Sequence, residues 1–290
     1  MDYGKGISIP MRLLKNPWFR IVLLLAITMT FLHACAERAF YIPTRHPPVP
    51  SPSNTYKTEE IRIPSQDGEM GAWVLDPIAR EPTATVVFCH GNAGNLENHI
   101  PFCDFLPAHG FRVLMFDYRG YGASTPIQPS RETTLADVYS AVDYATRQWG
   151  KPWLFGQSLG GSLALIAAGQ RNQDVKGVVC VAAFTSYRAM ARDVLGRPII
   201  TKPIAWPLGF LVRSGEEPIE WIDKISPTPI LLIHGKRDEI VPTRMSQTLY
   251  EKAKTPKDIL LLDNVRHNDD WRVMGRDFVN KVIEFLTRLD

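Results

Sequence analysis

A serine between two glycines, at the junction of two different hydrophobic patterns, is the feature that most constrains this chain. Residues 153–155 form a short apolar run, and residues 159–170 are mostly small and aliphatic over a helical length. In the intervening sequence GQSLG, residues 156–160, the glycines leave room for neighbouring backbone at a sharp turn. The pattern predicts a nucleophile elbow, in which a strand ends just before Ser158 and a helix begins directly after it.

Elsewhere the chain alternates short apolar runs with longer helical patterns. Apolar strands are typical of a sheet covered on both faces, and strand–helix alternation is typical of parallel sheets with right-handed crossovers. We predict strands at 60–63, 70–75, 85–89, 112–116, 153–155, 178–182, 230–233 and 259–262, and helices at 100–109, 133–149, 159–170, 243–253 and 271–289. The predicted fold is α/β, with a mostly parallel eight-stranded sheet flanked by helices.

Shifts in composition divide the sequence into three segments. Residues 1–36 combine four basic residues with the apolar run 21–32, and we interpret them as a signal, lipoprotein or membrane-anchor segment. Residues 37–55 contain five prolines and are predicted to form an extended linker. Residues 56–290 then form the main domain, whose folded structure is predicted to begin near Tyr56.

The end of the first segment, LHAC at residues 32–35, looks like the cleavage site of a bacterial lipoprotein. Three interpretations stay open: a lipoprotein cut before Cys35 and acylated on it, an uncleaved membrane anchor, and a secreted protein cut near Ala36. All three export the chain or tether it to a membrane, and we expect a membrane-associated protein that faces the periplasm. A buried helix of a cytosolic protein is the remaining alternative.

The interval between the predicted strands 178–182 and 230–233 is long for a simple crossover. It contains several prolines and a group of large apolar residues. We therefore predict a cap over the site at about residues 184–226. Four apolar residues of the cap are candidates for substrate binding, the alternative being that they only pack the cap: Trp206, Leu208, Phe210 and Leu211.

A serine hydroxyl becomes an effective nucleophile when a neighbouring base takes its proton. After a nucleophile elbow of this kind, an acid and then a histidine follow in the chain. Asp238 lies just after the predicted strand 230–233, with Glu239 as a rival, and His267 is the only histidine beyond it. We predict Ser158, Asp238 and His267 as nucleophile, acid and base.

Two backbone N–H groups are predicted to stabilise an oxyanion. Leu159 follows the nucleophile at the start of a helix, where free N–H groups and the helix dipole favour negative charge. The second donor is expected in the loop HGNAGN, residues 90–95, which follows the predicted strand 85–89. Asn92 is the first choice for this donor and Ala93 the second.

Other chemically active side chains are interpreted as structural. His90 and His234 each precede a glycine at a strand end, and Asp117 with Arg119 lies in a turn beside the site. The four cysteines, among them Cys89 and Cys180 in apolar runs, show no spacing typical of a metal site and no disulfide framework.

Taken together, the motifs resemble the α/β-hydrolase-domain-containing serine hydrolases of bacteria and eukaryotes, which are often membrane-tethered and related to the prolyl-oligopeptidase-like branch. The matching stretches are HGNAGN at 90–95, FDYRGYG at 116–122, GQSLGG at 156–161, HGKRDEIVP at 234–242, and His267 with Asn268. The resemblance implies the α/β-hydrolase fold, the triad Ser158, Asp238 and His267, and an oxyanion hole at Asn92 and Leu159.

The expected reaction is acyl transfer through a covalent intermediate on the serine, with no metal or organic cofactor. We expect a carboxylesterase or a hydrolase of lipid acyl esters or thioesters, with a small-molecule or lipid substrate. A serine peptidase is the enzymatic alternative, and a non-catalytic scaffold is the alternative of another class. The formal charge of +3 is too small to indicate nucleic acid binding, and the sequence does not fix the oligomeric state.

Overall fold

The computed structural model describes residues 15–288, which contain ten strands. They are β1 (Ile42–Pro43), β2 (Tyr56–Ser65), β3 (Gly68–Pro77), β4 (Ala84–Cys89), β5 (Ala93–Gly94), β6 (Phe111–Phe116), β7 (Trp153–Gln157), β8 (Val178–Val181), β9 (Ile230–Gly235) and β10 (Lys257–Leu262). Eight form one sheet in the order β10-β9-β8-β7-β4-β6-β3-β2, and β3 runs antiparallel to its neighbours. The predicted eight-stranded, mostly parallel sheet is confirmed.

Nine α-helices accompany these strands in the described residues. They are α1 (Pro17–Arg38), α2 (Leu96–His99), α3 (Arg131–Trp149), α4 (Leu159–Gln170), α5 (Tyr187–Gly196), α6 (Ala205–Leu208), α7 (Pro218–Trp221), α8 (Arg244–Lys252) and α9 (Trp271–Thr287). The predicted helix 159–170 has its bounds at the same residues. Residues 289 and 290, the end of the predicted helix 271–289 and beyond, lie outside the described residues.

The predicted helix at 100–109 is wrong. After the single turn of α2, the chain forms two short 3₁₀ turns, Ile100–Phe102 and Pro107–His109. A proline lacks the backbone N–H that continues a helix, and its ring clashes with the preceding turn. Pro101 and Pro107 therefore divide this segment, although its apolar residues pack as a helix would.

Helices cover both faces of the sheet, which explains the near-continuous apolar strands. In β4, Val87 and Cys89 face a core that includes α3 and α4, while Val86 and Phe88 face a second core that includes α9. Alternate residues of a strand point to opposite faces. Every residue of β4 after the first is therefore buried.

The predicted N-terminal segment contains one helix, α1, that is long and apolar enough to cross a membrane. Its mean hydropathy is 1.9 over an 18-residue window, and that window is not buried against the rest of the chain. The helix continues through Cys35, which is exposed, and ends at Arg38. The first 14 residues of the predicted segment lie outside the described residues.

The first part of the proline-rich segment, predicted to form an extended linker, packs on the body of the chain. Tyr41 is buried, and β1 pairs in parallel with β5. The N–H groups of Ile42 and Thr44 donate to the carbonyls of Asn92 and Gly94 at 2.9 and 2.8 Å. Pro43 lies between these two donors, so that its missing N–H removes neither bond. Folded structure thus begins before Tyr56.

A buried arginine joins the end of α1 to the cap. Arg131, at the start of α3, pairs with Glu37 of α1 at 2.9 Å and lies 3.4 Å from Glu217. Its guanidinium also stacks over the ring of Tyr187, 3.9 Å from the centroid. Burial raises the pKa of Glu217 to about 7, although Arg131 opposes this shift. One cation thus links three separate parts of the chain.

Candidate active site

Ser158 lies at a sharp turn between β7 and α4. Its φ of +53° is rare for a residue other than glycine and is typical of a strained functional turn. The two flanking glycines are required by close packing. A side chain at Gly160 would meet the carbonyl of Cys89, and one at Gly156 would meet the backbone of Gly160. The glycines therefore let the turn approach the end of β4.

The structure brings Ser158, His267 and Asp238 together from three separate loops. His267 Nε2 lies 3.1 Å from Ser158 Oγ, and His267 Nδ1 lies 2.7 Å from Asp238 Oδ2. Because a carboxylate only accepts, Nδ1 carries a proton and Nε2 of the neutral ring is free to accept the serine proton. Ser158 and His267 are 8% and 5% exposed, so little water reaches them.

Asp238 is held as a carboxylate by four hydrogen-bond donors. Its Oδ1 accepts from the N–H groups of Ile240 and Val241 at 2.8 and 2.7 Å, and its Oδ2 contacts the rings of His267 and His234. Burial alone would raise the pKa of Asp238, but the hydrogen bonds from the two histidines outweigh it and hold this pKa well below its usual range. Asp238 thus stays ionised beside His267.

His234, interpreted as structural, is buried in direct contact with the acid. Its Nε2 lies 2.9 Å from the carbonyl of Val241 and 3.2 Å from Asp238, and its Nδ1 lies 2.6 Å from Ser246 Oγ. A neutral ring that donates from Nε2 and accepts at Nδ1 satisfies all three contacts. Glu239, the rival acid, is exposed instead.

A network of hydrogen bonds orients the loop that contains Asn92. His90 is uncharged, because burial and the nearby His99 lower its pKa, and its Nδ1 donates to the carbonyl of Gly91 at 2.7 Å. That carbonyl belongs to the same planar peptide as the Asn92 N–H, so fixing one directs the other. The carbonyl of Asn92 accepts from Tyr121 Oη at 2.8 Å and from Ile42.

A mainly apolar cavity of about 430 Å³ lies beside Ser158, a size typical of small-molecule sites. Its walls come from α1, the turn after it, the elbow, the cap and the loop after Asp238: Ala36, Ala39, Phe40, Asn92, Ser158, Leu159, Phe184, Met190, Ala191, Val194, Leu195, Leu208, Leu211, Val212, Ile240 and Val241.

Of the four predicted pocket residues, Leu208 and Leu211 line this cavity, whereas Trp206 and Phe210 do not. Residues two apart in a helix point in nearly opposite directions, so Trp206 faces outward when Leu208 faces the cavity. Phe210 packs edge-on against Trp206, with ring centroids 4.8 Å apart, on the exposed side. The prediction is therefore corrected at Trp206 and Phe210.

Sequence reasoning missed the contribution of the end of α1 and the turn after it to the cavity. Ala36, Ala39 and Phe40 form part of its wall, although they lie more than 100 residues before Ser158. The sequence gives only a weak indication of this contribution. Two small residues and one aromatic residue follow the apolar run, at the point where a cleaved segment would end. The pairing of β1 with β5, the ion pair of Glu37 with Arg131 and the contact of His33 with Leu211 hold them at the site.

The remaining predicted structural residues are buried. Arg119 and Asp137 form a buried ion pair at 2.6 Å, and Asp117 accepts from the N–H of Leu96 at 2.7 Å. Cys89 and Cys180 are buried free thiols. Within residues 15–288, no cluster of three or more histidine, cysteine or acidic side chains could hold a metal ion.

The relatives found by comparison with known proteins are consistent with the fold described above. A family model of the α/β hydrolase fold matches residues 84–203. The uncharacterized protein YfhR of Escherichia coli (strain K12) is 31% identical over 277 residues, which cover 89% of this chain and 92% of that protein. The α/β hydrolase domain-containing protein WAV2 of Arabidopsis thaliana is 28% identical over 285 residues, with 90% of each chain covered.

The fold is also similar to that of solved esterases. A structure of the esterase Pf2001 of Pyrococcus furiosus superposes with a TM-score of 0.68 at 19% identity, covering 85% of this chain and 98% of that one.

We expect Tyr121→Phe to lower kcat about two- to tenfold without changing KM, the effect of removing one hydrogen bond from the carbonyl of Asn92. Steady-state hydrolysis of a short p-nitrophenyl ester checks this. Tyr139→Phe is the matched control, because Tyr139 bonds Gln170 away from the site. Equal kcat in the two variants would contradict a role for this bond in orienting the loop.

Proposed function

The chain belongs to the α/β-hydrolase family, and we propose that it is a serine hydrolase acting on esters that carry an apolar acyl group. The observation that supports the chemistry is the continuous path Ser158 Oγ to His267 to Asp238, with steps of 3.1 and 2.7 Å. The apolar cavity beside Ser158 supports the choice of substrate.

In the proposed first step, His267 Nε2 takes the proton of Ser158 Oγ as the oxygen attacks the ester carbonyl. The imidazole becomes positively charged, and the adjacent carboxylate of Asp238 stabilises that charge. The backbone N–H groups of Leu159 and Asn92 donate to the oxyanion. Return of the proton from His267 to the alcohol then lets the leaving group depart.

In the second step, water attacks the acyl group bound to Ser158, with His267 again as the base. The tetrahedral intermediate collapses, the acid product leaves and Ser158 regains its proton. Residues of the cavity hold the acyl chain during both steps. A cavity wall with few polar groups favours an acyl chain over a peptide, whose backbone would need hydrogen-bond partners.

We expect Ser158→Ala to lose labelling by a fluorophosphonate probe and to reduce ester hydrolysis by at least about 10³-fold, because the variant lacks the attacking oxygen. In-gel fluorescence and p-nitrophenyl ester assays check this. The control is Ser162→Ala, since Ser162 lies one turn further along α4 and bonds the carbonyl of Ser158 rather than His267.

Wild-type protein that is folded but takes up no probe would contradict the proposal and favour a non-catalytic scaffold. Hydrolysis of peptide amides in preference to esters would instead favour a peptidase.

We expect Ala36→Trp to reduce hydrolysis of a decanoyl ester roughly tenfold or more while sparing an acetyl ester, because the indole fills space for the acyl chain. Activity on p-nitrophenyl esters of graded length checks this. Ala26→Trp is the matched control, because it adds the same side chain to α1 about 15 Å from the cavity. A parallel loss on both esters would contradict a role of Ala36 in acyl binding.

We further propose that α1 is retained as a membrane anchor. His33, which precedes Cys35, donates from Nδ1 to the carbonyl of Leu211 in the cap. This contact supports an α1 that stays attached to the chain rather than one that is cleaved off. Cleavage before Cys35 or near Ala36 would remove this contact. The body of the chain would then be tethered directly at the cavity, with Ala36 and Ala39 in its wall.

We expect the membrane-bound protein to keep the mass of the uncleaved chain. We expect Cys35→Ala to change that mass only by the difference between the two side chains and to leave the membrane fraction unchanged. Mass spectrometry of the membrane fraction checks this. A wild-type mass that corresponds to cleavage before Cys35 with an added acyl group, abolished by Cys35→Ala, would establish the lipoprotein alternative.

A further inference from the structure

The cap exposes a group of large apolar side chains to solvent. Ile199 and Ile200 are 88% and 89% exposed, Trp206 is 64% exposed and Ile204 is half exposed. We call these four residues the cap edge. Exposed apolar groups of this size, close together, mark surfaces that bind a protein or a membrane. None of the four lines the cavity.

The cap edge lies next to the membrane-length helix. The 3₁₀ turn Gly209–Leu211 contacts α1, and the carbonyl of Leu211 accepts from His33. In the same turn, Phe210 packs against Trp206. The cap edge is therefore connected to α1 in two steps: Trp206 contacts Phe210, and Leu211 in the same turn contacts His33.

The position of His33 along α1 indicates how deep in the bilayer the contact between His33 and Leu211 lies. The apolar run ends at Leu32, and Trp18 to His33 spans about 22 Å of helix at 1.5 Å per residue. A bilayer core is about 30 Å thick. With the run inside the bilayer, His33 lies near its boundary. The part of the cap that touches His33 then lies at the same boundary.

The charges around the cap edge match an anionic lipid surface. Residues 188–213 contain five basic residues, Arg188, Arg192, Arg197, Lys202 and Arg213, and one acidic residue, Asp193. Arg197 pairs with Asp193 and Arg213 with Glu132, which leaves Arg188, Arg192 and Lys202 as the cations available to lipid. The guanidinium of Arg192 lies over the rings of Trp206 and Phe210, 5.2 and 4.7 Å from the centroids. Tryptophan beside basic residues is typical of the interfacial region of membranes.

We propose that the cap edge is a second contact surface for the lipid bilayer, and that the cap and α1 together seat the cavity on the membrane. The cavity lies between these two contacts, because its walls include Ala36 of α1, Ala39 directly after α1, and Leu208 and Leu211 of the cap. The acyl chain of a membrane lipid is then the natural occupant. The contact surface rests on the proposed anchoring by α1, and the lipid occupant rests also on the proposed hydrolase activity.

The depth of the cap edge is measured on the full chain in vesicles of phosphatidylcholine and phosphatidylglycerol. An environment-sensitive fluorophore is attached through Ile200→Cys in a Cys35→Ala background, where the other native thiols are buried. The control label is attached through Ile78→Cys, which is half exposed and lies just after β3, at the sheet edge opposite Ser158. Nitroxide-labelled lipids serve as quenchers.

We expect the label at residue 200 to shift to the blue and to be quenched about threefold more than the label at residue 78, as for a side chain below the headgroups. Quenching that is equal at the two sites overturns the proposal. A blue shift without quenching by lipid also overturns it, because a second copy of the chain or another protein would then cover the surface. This readout does not depend on catalysis.

A second measurement tests the consequence for the substrate. Ile199→Asp combined with Ile200→Asp is expected to raise the apparent KM for a long-chain ester embedded in vesicles about fivefold or more, since carboxylates oppose insertion and repel anionic lipid. Hydrolysis of a soluble acetyl ester should be unchanged. Ile78→Asp is the control. An unchanged KM on vesicles, with acetyl ester activity intact, overturns the proposed delivery of lipid substrate while leaving the proposed hydrolase activity in place.

Discussion

The close approach of the serine turn to the end of β4 is the constraint on which the rest of the site depends. Gly160 packs against the carbonyl of Cys89, where any side chain would collide. This contact holds Ser158 beside the loop that continues from β4, and that loop contains Asn92. Neighbouring parallel strands then bring the acid and the base to the same edge of the sheet. The relative positions of Ser158, Asp238 and His267 follow from this packing of backbone on backbone.

Local patterns and the order of residues along the chain are enough to predict the fold and the meeting of Ser158, Asp238 and His267 at one edge of the sheet. The apolar strands were readable because both faces of the sheet are covered, and helix α4 was bounded by its glycines and small residues. His267 was identified because chain order leaves one histidine after Asp238.

Features that depend on distant contacts were predicted less well. Trp206 and Leu208 are both large and apolar, so the sequence does not distinguish them. The direction of each side chain on a short helix decides which one lines the cavity. Pro43 indicated an extended linker, yet extended backbone is also what pairing with β5 requires. The segment 100–109 has helical periodicity, but Pro101 and Pro107 divide it into 3₁₀ turns. In each case local pattern was consistent with two outcomes, and tertiary packing decided between them.

The pairing of β1 with β5 has a practical consequence for how this protein is prepared. A soluble fragment begun at Tyr56, the boundary that composition suggests, would keep the whole main sheet together with Ser158, Asp238 and His267. It would lack the two N–H donors that hold the carbonyls of Asn92 and Gly94, and the cavity would lose the wall that contains Phe40. Such a fragment would fold around an altered loop and a wider cleft. Its substrate profile would then describe the truncation rather than the intact protein.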